Sequence, residues 1–374
     1  MGFTSLDDFL SKITTSGQFW RTDFNKLTHA TTAQVAGEWY CLAHSLGNPG
    51  AVTLNGGTNL SFQTLTDDVA GAINHGGRKI GYTKHILNAS AFSAAATSMP
   101  AIFMLVDLLG YYPMSTVTTT GNQATVHGVT FTADAGTDII THTGYDIATY
   151  SRVQLTTTTT LPAGLSTGTD YWTVRQSATT SKLAASYDDA ENNITIDITT
   201  TGTGTHTITT YIPRYTDGAG VQCFVTPTTV CGAATPNMLI NYTDSAGNTG
   251  NTTPTTLPIG KTAAPVGIVN YSGTGSGKYG PFMPLAAGDA GIRSIQQLNL
   301  SASYVSGALS WVLARPLLTL PMTTIGVAAE RDLLNQVPSL PRVYDGACLA
   351  WLMYAGANTP VSSSFFGHLD FGWG

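Results

Sequence analysis

Three pieces of one stretch decide how this chain is read: Phe131-Thr-Ala-Asp-Ala-Gly-Thr-Asp-Ile-Ile, then Ser151-Arg-Val-Gln-Leu-Thr-Thr-Thr-Thr-Thr-Leu-Pro-Ala-Gly-Leu-Ser-Thr-Gly-Thr-Asp-Tyr-Trp-Thr-Val, then Ile194-Thr-Ile-Asp-Ile-Thr-Thr-Thr-Gly-Thr-Gly-Thr-His-Thr-Ile. β-Branched and aromatic residues suit a pleated, half-buried surface, and the Gly, Pro, Asn and Asp clusters between them supply turns. Val153, Leu155 and Thr157 share one face of an extended chain, and Arg152, Gln154 and Thr156 share the other. Tyr171 with Thr173, and Trp172 with Val174, alternate in the same way. Leu161 to Gly168 joins two such runs, with Pro162 fixing φ and Gly164 and Gly168 free to take positive φ. The stretch from 124 to 212 therefore reads as a small all-β domain inserted into a larger one, whose halves are 1–123 and 213–374. A long excursion from one loop costs little, because closure entropy rises only logarithmically, but positions 123 and 213 must then be neighbours.

The flanks read as a mainly β host domain, a β-sandwich or jelly roll, with two short helices. Strands are expected at Ile102–Leu109, Val221–Thr226, Asn237–Thr243, Val266–Tyr271, Ile292–Ser301, Ala308–Ala314 and Cys348–Tyr354, with an Asn55-Gly56 hairpin turn. Asn88–Ala96 fits either a short helix or a close-packed strand. The first helix opens at Thr4-Ser5-Leu6-Asp7-Asp8, with Leu6, Phe9, Leu10 and Ile13 on one face and Gly17 as its stop. This face packs on its own domain or docks in a neighbouring subunit. The second helix is expected in Ala328–Val337, before Pro338.

The inserted segments Asp-Ile-Ile-Thr-His-Thr-Gly (138–144), Arg-Val-Gln-Leu-Thr-Thr (152–157), Leu161 to Val174 and Ile196 to Ile208 resemble an accessory β-domain that recurs, fused to different hosts, in structural proteins of tailed bacteriophages. Where that family has a Gly-His-Gly-Leu-type turn, this chain has Thr143-Gly-Tyr-Asp-Ile. The flanks resemble a set of phage virion proteins through Phe19-Trp-Arg-Thr-Asp-Phe-Asn-Lys-Leu-Thr, Tyr279-Gly-Pro-Phe-Met-Pro-Leu-Ala-Ala-Gly-Asp-Ala-Gly-Ile-Arg-Ser and the closing Leu369-Asp-Phe-Gly-Trp-Gly. The resemblance implies a virion component and leaves head or tail open.

Composition sets the remaining bounds. Of 374 residues, 42% are hydrophobic and only 10% charged, against about 25% charged in ordinary domains. A surface of Thr, Ser, Asn and Gly is easily covered by another protein, because few ions must be desolvated. The net charge of -6 offers no footprint for nucleic acid. The densest basic spot, His75-Gly-Gly-Arg-Lys, reads as a polar turn between strands. No run approaches the roughly 20 apolar residues of a membrane span, and the N-terminus has no secretory pattern, so synthesis in the host bacterial cytoplasm is expected.

Chemistry-bearing motifs are sparse. Gly275-Ser-Gly277-Lys-Tyr-Gly280 spells GxGxxG, but Pro281 follows and no βαβ unit surrounds it, so a loop is expected. As a phosphate loop it has Ser272 and Tyr279 at the wrong places. Cys41, Cys223, Cys231 and Cys348 have no zinc spacing and are expected as buried thiols, although Cys223 and Cys231 flank Pro227 and could oppose each other across a hairpin. His142 and His206 read as strand or turn residues. Asp67-Asp68 and Asp188-Asp189 stand in turn-like contexts, and a carboxylate pair drawn from distant strands is the one glycan-cleaving arrangement left open. No catalytic, cofactor-binding or metal-ligating residue is nominated.

The expectation is a non-enzymatic virion protein of a tailed phage, decorating or cementing the capsid surface, with the major capsid protein and neighbouring copies of itself, in a homotrimer, as partners. A tail tube or baseplate component and a host-surface glycan-binding adhesin are the alternatives. A major shell protein is disfavoured because no long charged helix is present.

Overall fold

Two long antiparallel strands, Ala101–Met114 and Ala308–Met322, run side by side through the middle of the molecule. The computed structural model describes residues 3–15, 17–31, 33–54, 60–95, 98–253, 257–258, 266–269, 280–336 and 340–374. The long pair carries a seven-stranded sheet, with Gln222–Thr229 on one side and Cys348–Ala355, Glu38–Cys41 and Ile268–Val269 on the other.

Each long strand contains an extra residue. The register slips between Leu313 and Ala314 and again between Pro316 and Leu318, which leaves Leu109 and Leu317 without direct partners. One unpaired residue turns every later side chain to the opposite face. Phe103 and Leu105 accordingly point into the same core as Tyr112 and Met114, although their numbers have opposite parity. Leu318, Leu320 and Met322 join Leu309, Trp311 and Leu313 for the same reason.

One face of this sheet thereby serves two others. A six-stranded sheet containing Phe19–Leu27, Ser364–Trp373 and Lys84–Phe92 covers one half, and the rings of Phe24, Phe103, Trp351 and Phe365 interlock there at centroid distances of 4.9 to 5.5 Å. A five-stranded sheet built on Asn237–Asp244 and Ile292–Leu300 covers the other half with Met238, Ile240, Ile295 and Leu298. The opposite face buries Val106, Leu108, Phe224, Val312 and Leu352 under loops carrying Val52, Leu54 and Leu65. The chain is mainly β, a sandwich-type core with a small all-β barrel attached.

The barrel lies between Gly128 and Tyr211. Its six strands close in the order Arg152–Thr157, Tyr171–Ser177, Thr180–Ala184, Ile139–His142, Gly128–Asp134, His206–Tyr211. Its own core holds Phe131, Ile140, Val153, Leu155, Tyr171, Leu183 and Ile208, and Leu161 and Leu165 of the Pro-Gly loop are buried with them. Gly164 is required there, because at φ +99° a Cβ would sit 2.3 Å from the Asp197 carbonyl oxygen. The first and last barrel strands pair directly, Gly128 opposite Thr209, so the chain enters and leaves at one place.

Several expectations change. Ile194–Thr200 alternates like a strand but joins no ladder; the six strands close the barrel without it, and its amides make isolated hydrogen bonds, Ile196 to the carbonyl of Leu183 in the Thr180–Ala184 strand at 2.7 Å and Ile198 to Asp138 Oδ1 in a turn at 2.9 Å. Ile198 still enters the barrel core. Where a helix was expected in Ala328–Val337, Ala329–Asp332 instead pairs with the free edge of Lys84–Phe92, and among the described residues only Leu333–Gln336 is helical. Asn88 belongs to that Lys84–Phe92 strand, which settles its helix-or-strand ambiguity. Within the strand expected at Val266–Tyr271, Ile268–Val269 pairs with Tyr40 and Trp39, and residues 270–271 lie outside the described residues. Cys223 sits inside Gln222–Thr229 and Cys231 just past its end, so no hairpin sets them opposite each other; all four cysteines are buried free thiols. The Asn55-Gly56 turn and residues 275–279 lie outside the described residues.

The first helix, Leu6–Thr15, turns Phe9 inward against Phe3, while Leu6 remains 68% exposed and Leu10 45%. Phe19 and Trp20, at the start of the first strand, stand in solvent too.

Candidate functional site

The two chain segments that join barrel to sandwich are anchored by one buried side chain each. On the way in, Nε2 of His127 bonds the Ile295 carbonyl at 2.9 Å, and the ring stacks on Phe62. The backbone carbonyl of His127 accepts the Tyr145 hydroxyl at 2.8 Å and the Thr210 amide at 2.9 Å. Burial holds its imidazole below the usual histidine range, so it is neutral. On the way out, Arg214 donates twice to Asp107, Nε to Oδ2 at 3.0 Å and Nη2 to Oδ1 at 2.7 Å. Nη2 also reaches the carbonyls of Leu65 and Leu108. Asp107 lies two residues before the unpaired Leu109 of Ala101–Met114, and its Oδ1 receives the Cys348 amide as well.

Beside Arg214 the barrel and sandwich face each other across a cleft. The barrel contributes Trp172 and the short helix Tyr187–Glu191, whose N-terminus is capped by Ser186 accepting the Asp189 amide. The sandwich contributes Tyr344, Asp345 and Gly346, and the returning chain contributes Pro213 to Thr216. Together they enclose a cavity of about 280 Å³.

Charged groups line up behind it. Lys84, fully buried, donates to Nδ1 of His75 at 2.6 Å, and His75 Nε2 donates to the Ala347 carbonyl at 3.1 Å, which fixes the tautomer. Burial and the neighbouring ammonium push His75 down to about 3, so it stays neutral. Asp67 stands 3.7 Å from His75 Nε2 and accepts the Tyr187 hydroxyl at 3.1 Å. Arg78 pairs with Asp188 of the barrel helix and lies 3.8 Å from Asp345 of the sandwich, so one guanidinium spans the seam. Burial raises the carboxyls of Asp67, Asp345 and Glu191 above the usual range, with Lys84 and Arg78 opposing the rise at Asp345.

His75-Gly-Gly-Arg-Lys does connect two strands, Gln63–Thr64 and Lys84–Phe92, as a turn would, but it is more than a solvated turn: His75 is buried, Arg78 crosses the seam, and Lys79 lies over the Trp373 ring at 4.8 Å. Asp67 is tied to the barrel helix through the Tyr187 hydroxyl and Asp188 of that helix pairs with Arg78, whereas Asp189 serves its own helix cap. Asp188-Asp189 lie on a helix and not in a turn. His142 and His206 are strand residues on either side of Phe131, and they bond Ser181 and Thr157 respectively. Among the described residues no group of three His, Cys, Asp or Glu is disposed to hold a metal ion, and no helix is long and apolar enough to cross a membrane. Tyr344 and Asp345 carried no signal in the sequence; only their placement opposite Tyr187 and Asp188 makes them part of a site.

No protein-family model matches this chain, and no curated protein sequence matches it. Among solved structures it overlaps the VP2 subviral particle of infectious bursal disease virus at 9% identity, over 80% of this chain and 82% of that one, with a TM-score of 0.15. It also overlaps the structure of the Gt strain of that virus at 10% identity, over 80% and 84%, with a TM-score of 0.14. Overlap at that level establishes no shared fold, and no conclusion about function rests on it.

Proposed function

We propose that the chain is a non-enzymatic structural protein of a tailed-phage virion, made in the bacterial cytoplasm and decorating the capsid surface as a homotrimer against the major capsid protein. The observation that carries the reading is a set of exposed apolar side chains around the start of the Phe19–Leu27 strand. Leu6 and Leu10 of the preceding helix, Phe19 and Trp20 on the two faces of the strand, and Ile80 and Tyr82 of a later loop all stand exposed. That loop is tied on by Lys79 bonding the Gly17 carbonyl and by Gly76 lying against Trp20. Exposed apolar patches of this kind mark surfaces that another protein covers. The shortage of charge elsewhere lowers the cost of covering the rest. A repeating lattice then turns modest single contacts into strong attachment through avidity.

Particles lacking the protein should lose resistance to heat and osmotic shock, and a map of the intact particle should place three-fold clusters of it over the head. Six-fold rings along a tail would replace this reading with a tail component. Unchanged particle resistance would remove the cementing role.

A further inference from the structure

We propose that the cleft between barrel and sandwich binds one pyranose ring of a neutral glycan. At about 280 Å³ it lies at the small end of ligand cavities and suits a single ring. A sugar presents C–H faces that pack on aromatic rings and hydroxyl edges that need donors and acceptors together. The cleft offers both. Trp172, Tyr344, Tyr215 and Pro213 form its apolar walls. Tyr215 meets Tyr344 edge-on at 4.8 Å, and the Arg342 guanidinium holds the Tyr344 ring from 4.2 Å.

Acceptors come from Asp188 and Asp345. The cations paired with Asp345 stand 3.5 and 3.8 Å away, too far for good hydrogen bonds, so its oxygens keep capacity for a hydroxyl donor. Donors come from Arg214 and Tyr215, which both line the cleft; Nη1 of the first and the hydroxyl of the second are buried without a hydrogen-bond partner among the described residues. Buried polar atoms left in that state point to a missing partner.

Other ligand classes fit worse. An anion would meet Asp188 and Asp345, with Asp67 and Glu191 behind them. A cation would meet Arg214 in the wall, with Arg78 and Lys84 behind it already paired to the carboxylates. A purely apolar ligand would leave the carboxylates and both donors unpaired. Because the walls come from the barrel and the sandwich alike, the site exists only in the whole chain. The assignment does not depend on where in a particle the chain sits.

The test titrates the full chain with the methyl pyranosides of glucose, galactose, mannose and N-acetylglucosamine, following tryptophan fluorescence and saturation-transfer NMR, with inorganic phosphate as the anionic probe. At least one pyranoside should saturate with a Kd on the order of 1 mM, as expected for a ligand of this size. Trp172→Leu and Tyr344→Leu should each weaken it about tenfold or more, while Trp20→Leu, on the exposed strand end, should leave it unchanged. Far-UV circular dichroism checks folding, and if Trp172→Leu fails to fold, Tyr344→Leu and Asp345→Asn carry the test. Saturation by none of the four sugars, saturation by phosphate in their place, or binding that survives the folded cleft variants would overturn the proposal, the cavity then holding solvent only.

Discussion

The Arg214–Asp107 pair is the most exposed point of the structural argument, because both partners are out of water: Arg214 is 5% and Asp107 0% exposed. Replacing Arg214 by Met removes four hydrogen bonds, two to Asp107 and one each to the Leu65 and Leu108 carbonyls. It also leaves a carboxylate in the core whose remaining donor is the Cys348 amide. Removing one partner of a buried pair costs about 3–5 kcal/mol, most of it the stranded charge. Asp107→Leu should cost a similar amount by stranding the guanidinium. The double variant Arg214→Met with Asp107→Leu strands nothing, so its loss should fall below the sum of the two single losses by about 2 kcal/mol or more. Equilibrium urea unfolding, read from the emission of the buried Trp311, Trp351 and Trp373, measures all three in the sandwich core. Losses under about 1 kcal/mol, or strict additivity, would refute the view that this pair bolts the returning chain to the central strand.

The buried ammonium of Lys26 donates to the carbonyls of Ser45, Pro49 and Gly50 at 2.8 to 3.0 Å, and burial pulls its pKa down to about 8. For Lys26 the unfolded chain therefore binds more protons than the folded one between that value and the ordinary lysine range, so this group's contribution to stability rises with pH there. The four raised thiols act in the opposite sense, so the contribution of Lys26, about 1 kcal/mol from pH 7.5 to 9, is read as the change with pH in the difference between the urea stabilities of wild type and Lys26→Met; no change in that difference would refute it. Gly346 lies so close to Tyr187 of the barrel helix that a Cβ would meet its hydroxyl at 2.6 Å. Gly346→Ala should destabilise by about 1–3 kcal/mol and open the seam to proteolysis, and adding Tyr187→Ala should recover part of the steric loss; no recovery would sink the contact argument. The thiols of Cys41 and Cys231 are pushed up to about 12, and Cys223 and Cys348 are raised as well, all by burial. None of the four should react with a disulfide reagent at pH 8 in the native protein, and all four should react in guanidinium chloride; fast native labelling of any one would contradict its burial.

What the sequence determined by itself was local. The alternation in Ser151–Thr157 and Tyr171–Val174 gave the strands and the residues that share each face, because a period of two is written in adjacent residues and needs no distant partner, while which face is buried waited for the fold. The apolar run at Ile102–Leu109 likewise announced a buried strand, although not its full length to Met114. Ile194–Thr200 shows where this reasoning stops: the same alternation is present, yet the six neighbouring strands close the barrel without it and leave it isolated backbone bonds, such as that to Leu183, instead of a ladder. The bulges at Leu109 and Leu317 were invisible for a related reason, since an extra residue is defined only against the partner strand. Tertiary structure alone decided the cleft. Trp172, Asp188, Arg214 and Asp345 are ordinary residues in their own surroundings, and they acquire a shared field and a shared cavity only when chain closure brings the barrel helix against the sandwich.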